Sequence, residues 1–132
     1  MFIRYTGNSP WGEIDHCEEL YPGFYLVSTP SHGGIQVERE AAMLLSPAAR
    51  KCGFRERGCL WFEEDCCEPV VLRELLDKGL WRIPERIKEP EAYERSLNRT
   101  IEEYHPEYWA ARQKKLNKAA KPKQKSCKDI SR

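Results

Sequence analysis

Two stretches of the sequence combine reactive side chains with turn or acidic residues: Ser31-His32-Gly33-Gly34 and Glu63-Glu64-Asp65-Cys66. A histidine beside a diglycine offers a general base, a metal ligand or a phosphate contact. The glycines let a ligand or another backbone segment approach closely. The bland alternative for the first stretch is a hairpin connection, because Gly23–Ser28 and Ile35–Glu38 flank it as strand-like runs. Three consecutive acids ahead of a helix are favoured by its positive end, which is a structural role. The same acids can orient an imidazole or take a divalent cation. A Cys66 thiol near a helix start is a candidate nucleophile, although neighbouring carboxylates oppose the thiolate. A metal-assisted hydrolase using His32 with Glu64 or Asp65 is therefore the coherent catalytic reading.

The elements that must hold these residues follow from periodicity and punctuation. Phe2–Tyr5 reads as a short first strand, Gly7–Pro10 as a turn, and Glu13–Leu20 as a weakly amphipathic edge strand. Tyr21-Pro22-Gly23 is a turn, and Phe24–Ser28, aromatic and β-branched, is the strongest strand pattern. Ile35–Glu38 completes a meander within the first 38 residues. The period then changes: Arg39–Leu45 reads as a helical turn or two, and Ser46-Pro47 caps a short helix stopped by Gly53. Phe54–Gly58 reads as a charged loop. Apolar residues at 71, 72, 75 and 76, with Gly79 beyond, give a helix with Pro69 in its first turn, or kinked by Pro69 if it begins near Glu63. Pro90–Tyr104 is helical, His105-Pro106 interrupts it, and Glu107–Leu116 restarts it. The expected fold is α+β: a small N-terminal antiparallel β-meander packed against C-terminal helices, one domain over 1–116, and a basic, disordered tail over 117–132.

Charge and cysteine usage narrow the partners. The 132 residues carry 22 Lys and Arg against 21 Asp and Glu. Nine of the basic residues lie from Tyr108 onward, where Asp129 is the sole acid, leaving 13 basic and 20 acidic side chains before it, a net of −7. The tail from 112 to 128 is suited to sequence-independent contact with phosphates, and no zinc-finger or helix-turn-helix pattern accompanies it. The acidic body is too weakly charged for a nucleic-acid mimic. No apolar run reaches the ~18 residues of a membrane span, and no signal peptide is read, so the expected compartment is the cytoplasm. The six cysteines contain no Cys-x-x-Cys pair and are read as reduced thiols. No cofactor is expected; zinc on Cys59, Cys66, Cys67 and a histidine is the alternative.

Taken together, Ser9-Pro10-Trp11-Gly12, Tyr21-Pro22-Gly23-Phe24, Ser28–Ile35 and Trp61-Phe62-Glu63-Glu64-Asp65-Cys66 resemble a small bacterial and phage family of unknown function. Its members carry a Pro-Trp-Gly … Ser-His-Gly-Gly … aromatic-Glu-Glu-Asp-Cys pattern. The resemblance spans about residues 9–85; typical members follow the last cysteine with tryptophan, where Cys67-Glu68-Pro69 stands here. It implies a protein encoded on phages or mobile elements and one shared site holding His32, Gly33, Gly34, Glu64 and Asp65. The leading expectation is an accessory protein that binds a host protein, for example to inhibit a defence system, with enzyme activity left open. Its binding residues would be Trp11, Ser31, His32, Gly33, Gly34, Trp61, Glu63 and Cys66. Hydrolysis at His32, Glu64 and Asp65, and nucleic-acid binding through 112–128, are the competing expectations.

Overall fold

The computed structural model describes residues 8–128, with side chains through Ala119. The expected strand Phe2–Tyr5 lies outside the described residues. A two-strand hairpin, β1 (Asn8–Ser9) and β2 (Gly12–Glu13), precedes a five-stranded antiparallel sheet. That sheet contains β3 (His16–Tyr21), β4 (Phe24–Ser28), β5 (Gly33–Val37), β6 (Phe54–Glu56) and β7 (Cys59–Glu63), in the spatial order β3-β4-β5-β7-β6. Helices α1 (Pro47–Arg50), α2 (Glu68–Asp77), α3 (Pro90–Tyr104) and α4 (Pro106–Lys128) complete the chain, and a 3₁₀ turn spans Ala41–Leu44. The α+β architecture expected from the sequence is the one observed.

The sheet does not end with residue 38. The segment read as a charged loop forms β6, and β7 inserts between β6 and β5. All three residues of β6 are exposed, as suits a charged edge strand, which carries no burial pattern to read. At its centre β7 is buried on both faces: Leu60, Trp61 and Phe62 are each 3 % exposed or less. A strand covered on both sides loses the alternation that marks a strand in sequence. Where the sequence shows no packing signature after Asn117, α4 continues to Lys128, with side chains 117–119 exposed.

One sheet face meets the helices. Phe24, Ile35, Val37, Leu60 and Phe62 pack with Val70, Val71 and Leu75 of α2, Leu97 and Ile101 of α3, and Tyr108 of α4. Burying each large side chain contributes about 1.5–3 kcal/mol. The opposite face carries a smaller cluster of Ile14, Val27 and Trp61, joined by Trp11, Cys17 and Tyr25. Ser46 caps α1 as expected, its Oγ accepting the Ala49 N–H at 3.1 Å. Among the described residues, no helix is long and apolar enough to cross a membrane.

Candidate functional site

The strand register decides which acid faces His32. Gly34 of β5 pairs with Val27 of β4 on one side and Glu63 of β7 on the other. Side chains alternate along a strand, so Val27, Gly34 and Glu63 share the face opposite the helices. There Glu63 Oε2 lies 2.8 Å from His32 Nε2, with the two side chains 34 % and 43 % exposed. The expected pairing of His32 with Glu64 or Asp65 is corrected: its hydrogen bond goes to Glu63. The Glu63 hydrogen bond raises the His32 pKa, and a backbone hydrogen bond to Ser31 and the charge of Glu64 add to this against desolvation. Glu64 turns the other way, its Oε1 standing 2.9 Å from where a Cβ on Gly33 would lie. Asp65 and Ser31 are exposed.

Trp11 explains the second glycine. Its ring lies against Gly34, with Cη2 2.6 Å from the position of an added Cβ. The same ring sits 5.7 Å from Trp61 and 6.2 Å from Phe54, both edge-on, and 6.1 Å from His32. Ser9 fixes the Trp11 hairpin: its Oγ donates to the Gly12 carbonyl at 2.7 Å and accepts the Trp11 N–H at 3.1 Å. Thr29 fixes the His32 turn in the same way. Its Oγ1 donates to the His32 carbonyl at 2.7 Å and accepts the His32 N–H at 3.1 Å. The two motif regions therefore meet, and the Pro-Trp-Gly segment caps them. Cys66 Sγ reaches Glu63 Oε1 at 3.9 Å and Cys67 Sγ at 3.2 Å. Trp61 is buried, its Nε1 donating to the Glu56 carbonyl at 2.9 Å.

Beside Gly33 lies an open cleft of about 270 Å³, lined by His16, Leu26, Val27, Ser28, Gly34, Glu64 and Glu68. Burial, with the charges of Glu64 and Asp65, pushes the Glu68 carboxyl up to about 7. A carboxyl that titrates there beside a second carboxylate is suited to proton transfer near neutral pH. The folded state holds this proton more tightly than the unfolded chain. The stability it contributes is present in full below pH 4.5 and is lost as pH rises to about 7. We expect Glu68→Gln to flatten this fall in urea-denaturation midpoints measured from pH 4.5 to 8; an unchanged slope would assign the titration elsewhere.

Sequence reasoning missed Thr29, Phe54, His16, Ser28 and Glu68. A hydroxyl three residues before His32 was a readable signal for Thr29, since Ser and Thr close such turns. The others depend on pairing partners distant in sequence. Zinc on Cys59, Cys66, Cys67 and a histidine is not what the structure assembles. Cys59 lies at the far end of β7 from Cys66 and takes the Gln36 amide at 3.3 Å. Among the described residues, no three His, Cys, Asp or Glu side chains are grouped to hold a metal ion.

Neither the curated proteins nor the solved structures contain a match to this chain. A family model does match, over residues 4–131, which takes in the Trp11 hairpin, the His32 turn, β7 and all four helices. The chain accordingly belongs to the family described as a domain of unknown function, DUF7007.

Proposed function

We propose that this protein is a phage or mobile-element accessory factor that acts by binding a host protein, with the face around Trp11, Phe54, His32 and Glu63 as its docking surface. One observation carries the reading: a rigid aromatic group stands in solvent reach beside a polar pair. Phe54 is 41 % exposed on an edge strand, Trp11 is wedged beneath it, and the His32–Glu63 pair forms the rim. Aromatic anchors ringed by polar groups are the usual anatomy of an interface hot spot, and a preformed anchor lowers the ordering cost of binding. The resemblance of the Pro-Trp-Gly, Ser-His-Gly-Gly and Glu-Glu-Asp-Cys segments to phage-borne domains supports the biological setting. Inhibition of a defence system is the outcome that setting favours.

The test starts with native mass spectrometry of the tagged full chain isolated from bacterial lysate, followed by affinity measurement with the partner so identified. Phe54→Asp is expected to weaken that complex at least about tenfold. Met43→Ser, at a residue 72 % exposed in the 3₁₀ turn between β5 and α1, is expected to leave it unchanged. Equal affinity for both variants, or a chain recovered alone, overturns the reading. A complex dissolved by nuclease and by added salt assigns function instead to the basic residues of α4, where Lys114, Lys115 and Lys118 are exposed.

A second reading, a small hydrolase, draws on the cleft that holds Glu64 and Glu68. Here the acid–base pair would be Glu68 and Glu64 with His16 alongside, in place of His32 with Glu64 or Asp65. Loss of biological effect in Glu64→Gln with partner binding intact would favour it.

A further inference from the structure

The thiol pair at the start of α2 has no part in the docking surface or the cleft. Cys66 and Cys67 are both free and half-buried. Successive residues at a helix start point about 100° apart, so the backbone does not force their side chains together. The two sulfurs nevertheless converge to 3.2 Å, inside ordinary sulfur–sulfur contact. Cys66 Sγ also donates to Glu63 Oε1 at 3.9 Å, and the other oxygen of that carboxylate holds His32. One carboxylate thus joins the thiols to the half-buried histidine.

We propose that Cys66 and Cys67 form a reversible vicinal disulfide, with a low-molecular-weight disulfide of the glutathione type as oxidant, and that closing this bond alters the His32–Glu63 pair. Cys66 gives its proton to Glu63, and its thiolate attacks one sulfur of the small disulfide. That S–S bond breaks, and one half leaves as a thiolate. Cys67 passes its proton to the departing thiolate and attacks the Cys66 sulfur. The second half leaves and takes the proton held by Glu63. Two electrons move from the cysteine pair to the small disulfide, which departs as two thiols.

The order of attack follows from the surroundings. Burial and the adjoining Cys66 push the Cys67 thiol up to about 12, so Cys67 resolves rather than initiates. Reversibility follows from geometry. Consecutive Cα atoms stand about 3.8 Å apart, below the ~4.4–6.8 Å that disulfides ordinarily span, so the closed ring is strained and readily reduced. Closure also removes the S–H donor from Glu63. The carboxylate becomes more basic and holds the His32 proton more tightly. Any effect on partner affinity rests on the docking reading; the disulfide and the histidine shift do not.

The full chain is equilibrated in graded mixtures of reduced and oxidised glutathione, quenched in acid, alkylated and mapped by peptide mass. As the mixture becomes more oxidising, the peptide holding Cys66 and Cys67 is expected to lose two hydrogens and to escape alkylation. Dithiothreitol should restore both thiols. Cys67→Ser should stop at a glutathione adduct on Cys66. A pair that stays alkylated throughout, a wild-type adduct that accumulates on Cys66, or a bond from Cys67 to Cys52 overturns the proposal. The His32 ring resonances should titrate at higher pH in the oxidised chain, and an unmoved midpoint overturns the link to Glu63. Neither readout needs a partner. A chain that closes the disulfide yet captures no host protein defeats the docking reading alone.

Discussion

Glu74→Ala is expected to lower the unfolding free energy by about 4 kcal/mol. Glu74 sits on α2, 7 % exposed, where three elements meet. Its Oε1 accepts the Ser46 N–H at 2.8 Å, and its Oε2 accepts the Ser46 hydroxyl at 3.1 Å and the Tyr108 hydroxyl at 2.7 Å. Ser46 in turn caps α1, and Tyr108, 3 % exposed, anchors α4 to the core. Lys78 Nζ adds a long ion pair to Oε1 at 3.9 Å. Alanine would leave the Tyr108 hydroxyl and the Ser46 donors without an acceptor in a water-poor interior. Each abandoned donor costs about 1–3 kcal/mol, which sets the sum. Urea denaturation should show the midpoint fall with an unchanged slope. Glu74→Gln keeps part of the acceptor set and should lose less. Tyr108→Phe removes one donor together with its need for a partner and should lose least. A fall below about 1 kcal/mol for the alanine variant would show that water or neighbouring groups replace the carboxylate.

That junction also shows what a single sequence can and cannot convey. Ser46-Pro47 announces a helix start through local chemistry, and α3 is bounded as read, because Pro90 opens it and His105-Pro106 closes it. Nothing local shows that the Ser46 hydroxyl also answers to Glu74, 28 residues away. The same division runs through the site. The sequence offers three adjacent acids to His32, and only the pairing of Gly34 with Glu63 selects the first of them. A register shift of one residue would have turned Glu64 to the histidine instead, and register is a tertiary quantity. Phe54-Arg55-Glu56 has the composition of a loop because an edge strand needs charge. In β1 and β2, two residues each, a period cannot be read at all. The segment after Asn117 is rich in Lys, Ala and Gln, which read as a solvated tail by charge but are strong helix formers by propensity. Residue chemistry therefore singled out two segments that the sheet sets side by side, while pairing chose which side chains meet.

Gly34→Ala is expected to cost about 3 kcal/mol, at the upper end for overpacking, and to dismantle the docking face while the helical half of the fold persists. An added Cβ would collide with the Phe62 carbonyl oxygen and stand 2.6 Å from Trp11 Cη2. Trp11 can swing out on its hairpin, but the Phe62 carbonyl belongs to β7 and cannot move alone. Strand β5 is paired on both sides, to β4 and to β7, so backing away from one neighbour presses on the other. The cheapest relief is to expel Trp11 and splay β7 near Glu63. Both events are observable. Tryptophan emission should shift to the red as Trp11 enters water, and the His32 midpoint should drop toward its ordinary value as Glu63 leaves it. Combining the change with Trp11→Ala separates the two obstacles. If the indole is the main one, the double variant should be more stable than the sum of the single losses predicts. Strict additivity would place the whole cost on the Phe62 backbone, and Trp11 would then be a passenger on the glycine. A Gly34→Ala protein with the parent's stability and emission would refute the close packing of Trp11 on β5, and with it the rigid anchor on which the docking reading depends.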